Sequence, residues 1–300
     1  MQTGYLAPPN LEEELKRELK YIVHEYDRLI LAEGPAQNVH WVQNIWFDPQ
    51  IIPIHSISDG AKKLRALQKL WSFYPYSNIR RGELISASLP YFSPKPLLFP
   101  SPLPKAPLGS WTLLDAETLL ASPACLSPFA GGEIHFQESK LPPSRAYLKL
   151  WELFTRIGQM PKADDCCLEI GASPGSWSWV LQQLGASVIA VDRADLDPKI
   201  AALPNITFLK KNAFALGPSD FPHLDWIFSD VICYPDKLLL WIKKWLDVYP
   251  EVNFVCTLKF QGKGDLDVIK EFESIEGSGL VHLFNNKHEL TWYKLTRNKL

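Results

Sequence analysis

Residues 166–192, CCLEIGASPGSWSWVLQQLGASVIAVD, admit few folds. A short apolar run, Cys166-Cys167-Leu168, ends in the acid Glu169. A small-residue turn follows, Gly171-Ala172-Ser173-Pro174-Gly175-Ser176, and then a helix-period run over residues 177–184 that stops at Gly185. A second apolar run, residues 188–191, closes on Asp192. Strand, turn, helix, strand and acid in this order make one unit of a parallel α/β sheet. The turn carries little side-chain bulk, so a ligand can approach its backbone and the helix N-terminus behind it. Asp192 stands where a ribose hydroxyl pair lands in a nucleotide-binding sheet. Two fingerprints fail at this turn. A dinucleotide site requires G-x-G-x-x-G where the chain has G-A-S-P-G-S, and no lysine follows the glycine as a phosphate-binding P-loop requires.

The 300 residues suffice for two domains, each with its own core. A formal net charge of −2 argues against a nucleic-acid surface spread over the whole molecule and leaves room only for a local basic groove. No stretch has the make-up of a membrane span or a signal peptide. The five cysteines lack zinc spacing. Cys167 and Cys256 fall inside apolar strand runs with Cys166 beside the first, the pattern of reduced core residues in an intracellular, cytoplasmic protein. The seven histidines are scattered, and no metal site is expected.

An α+β domain is expected over residues 1–139. Residues 5–7 and Pro8-Pro9-Asn10 predict a short strand and a turn, with Asn10 capping a helix over residues 11–22 that places acids first and bases later. Residues 28–31 and 39–47 predict strands. A second helix, residues 56–71, carries Lys62, Lys63, Arg65 and Lys69, either a solvated face or a contact for RNA phosphates. Across residues 76–107 the prolines at 90, 94, 96, 100, 102, 104 and 107 predict an extended, surface-wrapping segment, and Tyr91, Phe92 and Phe99 predict that it packs onto something. Residues 110–114 and 133–136 predict two more strands.

The boundary falls near Lys140-Leu141-Pro142-Pro143, and residues 140–300 form the second domain. Ser144 is placed to cap a helix through Ile157. Apolar strand runs then recur near Cys167, Val188, residues 206–209, 226–229 and 254–258, with helical patterns between them, notably residues 236–248 and 265–275. Residues 280–284 and 289–295 sit too close for a helical crossover and predict an antiparallel hairpin turning at Asn285-Asn286-Lys287.

The turn E-x-G-A-x-P-G-x-W-S, residues 169–178, resembles motif I of S-adenosylmethionine methyltransferases and, more narrowly, the FtsJ-like ribose 2′-O-methyltransferases. That family reads P-G-G-W, where this chain has Ser176 in place of the second glycine. The resemblance covers residues 144–296 and implies a Rossmann-like methyltransferase domain with a seven-stranded sheet ending in the antiparallel hairpin. It also implies a catalytic Lys-Asp-Lys-Glu set. Lys149 in S-R-A-Y-L-K, Asp230 in L-D-W-I-F-S-D, Lys259 in F-V-C-T-L-K-F and Glu289 in N-K-H-E-L-T match that set in order. The cofactor implied is S-adenosyl-L-methionine. Gly171, Ser173, Pro174, Gly175, Ser176 and Trp177 match the turn holding its amino-acid end, Asp192 its ribose acid, and Asp230 borders it. Asn212 falls where relatives have an aspartate contacting the adenine amine, and its carbonyl oxygen can still accept from that amine.

A ribose hydroxyl is a poor nucleophile until its proton is accepted or its developing charge is stabilised. Lys259 suits the first role when neutral and the second when charged. P-S-R-x-x-L-K-L before motif I and the closing E-x-T hairpin are similar to the bacterial enzymes that methylate a cytidine ribose of 23S ribosomal RNA, which implies an rRNA partner. The strand–turn–helix start resembles the THUMP-type N-terminal domain of RNA-modifying enzymes and implies RNA binding there. Ser176 and Asn212 keep open a non-catalytic RNA-binding relative of the fold, and a methyltransferase acting on a small molecule is the other alternative.

Overall fold

The computed structural model describes residues 1–92, 95–262 and 265–296, so Pro94 of the proline run lies outside the described residues. The chain divides into two units, Met1–Gln137 and Glu138–Leu300.

The first unit is α+β. In chain order it contains β1 (Gln2–Leu6), α1 (Glu12–Glu18), β2 (Ile22–Tyr26), β3 (Leu29–Glu33), β4 (Asn44–Phe47), β5 (Gln50–Pro53), α2 (Ile57–Leu67), β6 (Trp71–Phe73), α3 (Ile79–Ala87), β7 (Gly109–Leu113), β8 (Thr118–Ser122) and β9 (Ala124–Cys125). These strands build a five-stranded sheet, β2-β3-β1-β4-β9, and a four-stranded sheet, β5-β8-β7-β6. Leu6, Leu29, Leu31 and Trp46 fill the core of the first sheet. Ile54, Leu64, Ile85 and Trp111 pack α2 and α3 onto the second.

Several expectations for this unit are corrected. The first helix ends at Glu18, and β2 begins where β-branched Ile22 and Val23 take over. Asn10 does not cap it: its φ is +63°, and Leu11 holds the cap position without a side-chain bond. Residues 79–87 are helical, not extended, because no proline occurs between Pro75 and Pro90 and the helix can close its bonds. Residues 133–136 form no strand. They contribute a single parallel bridge, Leu97 to Phe136, with Phe99 edge-on to Phe136 at 6.5 Å. Tyr91 is exposed and not packed. Ser56 does cap α2, accepting from Asp59 N at 3.1 Å.

The second unit follows the α/β alternation of its sequence. It contains α4 (Tyr147–Ile157), β10 (Cys166–Ile170), α5 (Ser176–Gln183), β11 (Ser187–Asp192), α6 (Pro198–Ala201), β12 (Ile206–Lys210), β13 (Trp226–Ser229), α7 (Pro235–Leu246), β14 (Asn253–Lys259), α8 (Leu266–Glu273), β15 (Ser278–Val281) and β16 (Glu289–Lys294). The sheet runs β12-β11-β10-β13-β14-β16-β15. Strands β10 to β14 are mutually parallel, and β16 lies antiparallel between β14 and β15. This is the Rossmann-like methyltransferase sheet with its terminal hairpin. Strand order reverses between β10 and β13, and ligands of open α/β sheets bind at the carboxyl edge of that switch point. Strands buried on both faces read as unbroken apolar runs, and β13 and the middle of β14 are buried throughout.

Candidate functional site

The carboxyl ends of β10, β11, β13 and β14 open onto a cleft of about 350 Å³ whose wall includes Gly171, Ser173, Asp192, Asn212, Asp230 and Lys259. Asp192 ends β11, and its two carboxylate oxygens accept from Ser173 N at 3.0 Å and Ala194 N at 2.9 Å. Asn212 follows β12. Its carbonyl oxygen accepts from Phe214 N at 3.3 Å, capping a short 3-10 turn while facing the same cleft.

Gly171 and Gly175 are required by packing. At φ +72°, a Cβ on Gly171 would meet the backbone of Val231 at 2.8 Å, and at φ +109° one on Gly175 would meet Ile200 Cγ2 at 2.7 Å. Pro174, Gly175, Ser176 and Trp177 do not line this cleft. Ser176 is buried, with its Oγ 2.8 Å from Ser144 Oγ and accepting from Ser144 N at 3.0 Å. Trp177 is buried too, donating from Nε1 to Ala146 O at 2.9 Å. Both side chains therefore clamp the start of α5 to the residues that lead into α4. The serine in place of the family's second glycine has a structural use here.

That clamp bears on Lys149, one of two charged side chains in the buried stretch of α4. Lys149 Nζ lies 2.5 Å from Glu289 Oε1 and 3.5 Å from Asp230 Oδ1. Lys259 Nζ lies 2.9 Å from the same Asp230 oxygen and donates to Asp230 O at 2.6 Å. The four residues so assembled alternate in charge as Glu289, Lys149, Asp230 and Lys259. Their side chains are only 10–24% exposed, and an alternating set with no net charge can be held in so dry a place. Glu289 reaches it through strand register, since it stands opposite Lys259 across the β14–β16 pair.

The other buried charge of α4 is Glu152. It is fully buried, pairs with Arg156 at 2.7 Å, and accepts from Phe284 N at 2.9 and 3.0 Å. It thus ties α4 to the connection that delivers Glu289. Burial pushes its carboxyl up, opposed by the Arg156 charge and the backbone N–H groups of Phe284 and Asn285. Glu152 was not singled out from the sequence. Its signal was a lone carboxylate one turn after Lys149 in the otherwise apolar L-K-L-W-E-L-F.

Glu169, beneath the turn, is buried and bonded by Ser178 Oγ. Burial first, and then the nearby carboxylates Asp230 and Asp192, push it up to about 8. A carboxyl raised in the folded state binds more protons there than in the unfolded chain. Stability therefore falls as pH rises from about 4.5 toward 8. Glu169→Gln is expected to flatten this slope and to raise the unfolding midpoint at pH 8 relative to wild type. Denaturant melts at several pH values check it; an unchanged slope would count against a proton on Glu169.

Among the described residues, no group of three or more His, Cys, Asp or Glu is placed to hold a metal ion, and no helix is long and apolar enough to cross a membrane. All five cysteines are free.

Residues 142–290 match the model of the FtsJ-like methyltransferase family. "Ribosomal RNA large subunit methyltransferase M" of Halorhodospira halophila is 26% identical over 159 residues, covering 50% of this chain and 46% of that protein. The protein of the same name from Marinobacter nauticus is 30% identical over 164 residues, covering 49% of this chain and 44% of its own. The chain thus spans about half the length of the curated relatives it matches. Among solved structures, TrmN from Thermus thermophilus is similar at 13% identity and a TM-score of 0.37, over 97% of this chain and 98% of that one. Through residues 142–290, this chain belongs to the FtsJ-like methyltransferase family.

Proposed function

We propose that this chain transfers the methyl group of S-adenosylmethionine to a ribose 2′-hydroxyl of ribosomal RNA. The observation that carries the reading is the alternating set Glu289, Lys149, Asp230 and Lys259 at the edge of a cleft that also contains Asp192. The cleft suits the cofactor chemically. Each oxygen of Asp192 accepts one backbone N–H and keeps lone-pair capacity for a ribose hydroxyl. Asn212 would hold the adenine amine through its carbonyl oxygen, with Gly171 and Ser173 at the amino-acid end. A volume of about 350 Å³ fits one nucleoside-sized ligand. The cofactor supplies an electrophilic methyl group, and the protein supplies position and charge.

An ammonium has three protons. Lys259 donates one to the Asp230 carbonyl, holds its carboxylate as an ion pair and lines the cleft, so it keeps N–H capacity to hold the acceptor oxygen and stabilise the charge that develops on it. Asp230, held between two lysines, fixes that ammonium. Glu289 fixes Lys149 in turn. To the first unit we assign RNA affinity away from the acceptor ribose, because every residue of the set and of the cleft follows Lys140. Lys62 and Lys69 on and after α2 are exposed for phosphate contact, while Lys63 and Arg65 also bond locally to Pro53 O and Ser88 O.

Calorimetric titration with S-adenosylmethionine, followed by label transfer from the tritiated cofactor to ribosomal RNA, tests the reading. Asp192→Ala is expected to weaken cofactor binding by about 1.5–3 kcal/mol, the value of charge-assisted hydrogen bonds to the ribose. Unchanged affinity in this variant would place the cofactor elsewhere, and wild-type protein that binds cofactor yet labels no RNA would refute the substrate.

A further inference from the structure

We propose that residues 231–234, with Lys237 on α7, form a platform on which an unpaired RNA base stacks beside the acceptor ribose; this rests on the function proposed above. The segment begins directly after Asp230. Its first residue is fixed, since the Val231 backbone lies against Gly171 with no room for a Cβ between them. Pro235 then starts α7, so the segment is short and held at both ends. Yet two of its large side chains are left in water: Ile232 is 80% exposed and Tyr234 is 51% exposed. Ile232 borders the cleft. Cys233, between them, is only partly exposed. Lys237 is exposed, and its Nζ lies 5.9 Å from the centre of the Tyr234 ring.

Four residues of extended chain reach at most about 14 Å, so Tyr234 is within nucleotide range of Asp230. A half-exposed aromatic face beside a cation is how proteins take hold of single-stranded nucleic acid, through base stacking and phosphate contact. Two side chains flanked by charged Asp236 and Lys237 are too small a patch for a protein interface, which needs about 800 Å² per partner. They match the face of one base.

The test uses the full chain and a short fluorescein-labelled single-stranded RNA of mixed sequence, alone and annealed to its complement, with S-adenosylhomocysteine present. Tyr234→Ala is expected to weaken single-strand binding roughly 5- to 150-fold and to leave duplex binding unchanged. Tyr234→Phe, which keeps the ring, is expected to bind like wild type. With ribosomal RNA as substrate, kcat/KM of Tyr234→Ala should fall by a similar factor at unchanged cofactor affinity. Equal single-strand binding by wild type and Tyr234→Ala would overturn the platform and leave the patch to a protein partner. Equal losses in the Ala and Phe variants would overturn stacking. If wild type itself moves no methyl group to RNA, the proposed function fails, while the oligonucleotide measurement still decides the platform.

Discussion

Lys259→Ala is expected to slow single-turnover methyl transfer by about 10²–10³-fold at saturating cofactor, the cost of removing one preorganised donor to a developing oxyanion. Cofactor binding should not weaken, because the lost group is a cation facing a cationic cofactor, and Asp230 keeps Lys149 as a partner. Lys259→Arg separates the two roles that residue type alone left open. Arginine keeps the charge but cannot give up its proton, so partial recovery supports a charged donor and no recovery supports a proton acceptor. The hydrogen bond to the Asp230 carbonyl and the ion pair with its carboxylate support the charged donor, and partial recovery is the expected result. The planar fork of arginine cannot make the carbonyl bond, the ion pair and a further contact from one atom, so recovery should stay incomplete. Wild-type rates in the alanine variant would remove Lys259 from the chemistry.

Glu152→Ala is expected to destabilise the second unit strongly although it removes no apolar packing. It takes the acceptor from Arg156 and from the N–H groups of Phe284 and Asn285, all of them part-buried. Leaving such donors without a partner costs about 1–3 kcal/mol each before the site relaxes. A net loss of about 3 kcal/mol, or roughly 6–12 °C in melting temperature for a unit of this size, is expected by scanning calorimetry. Glu152→Gln keeps one acceptor and should lose less. A melting temperature within a degree or so of wild type in the alanine variant would show that the hairpin connection does not depend on α4.

The second unit was legible because its parallel strands are short, largely apolar runs, most of them closed by a residue of another kind. Asp192, Asp230 and Lys259 each mark such an end, and parallel strands bring their carboxyl ends to one edge. What the runs could not show is side-chain direction. Ser176 and Trp177 have the right types for a ligand turn, yet they point to Ser144 and Ala146, partners far away in the chain. Nor does a hairpin pattern say which of its strands enters the sheet first. The pairing of β16 with β14, which sets Glu289 opposite Lys259, required the structure.

The first unit was harder for a different reason. Its chain turns at Tyr21, Asp27, Asp48 and Asn78, all non-glycine residues at positive φ, so the usual glycine punctuation is missing at these four turns. Its strands are short, and the helix expected over residues 11–22 in fact stops at Glu18, leaving Ile22 to open β2.

The central claim is that this cleft directs a methyl group to a ribose hydroxyl. Ribosomal RNA methylated by the full chain with labelled S-adenosylmethionine, digested to nucleosides and resolved by mass spectrometry, tests it most directly. The account predicts the label in a 2′-O-methylated nucleoside, and its loss in Lys259→Ala. Label on a nucleobase, or equal label in the 2′-O-methyl nucleoside from wild type and Lys259→Ala, would contradict it.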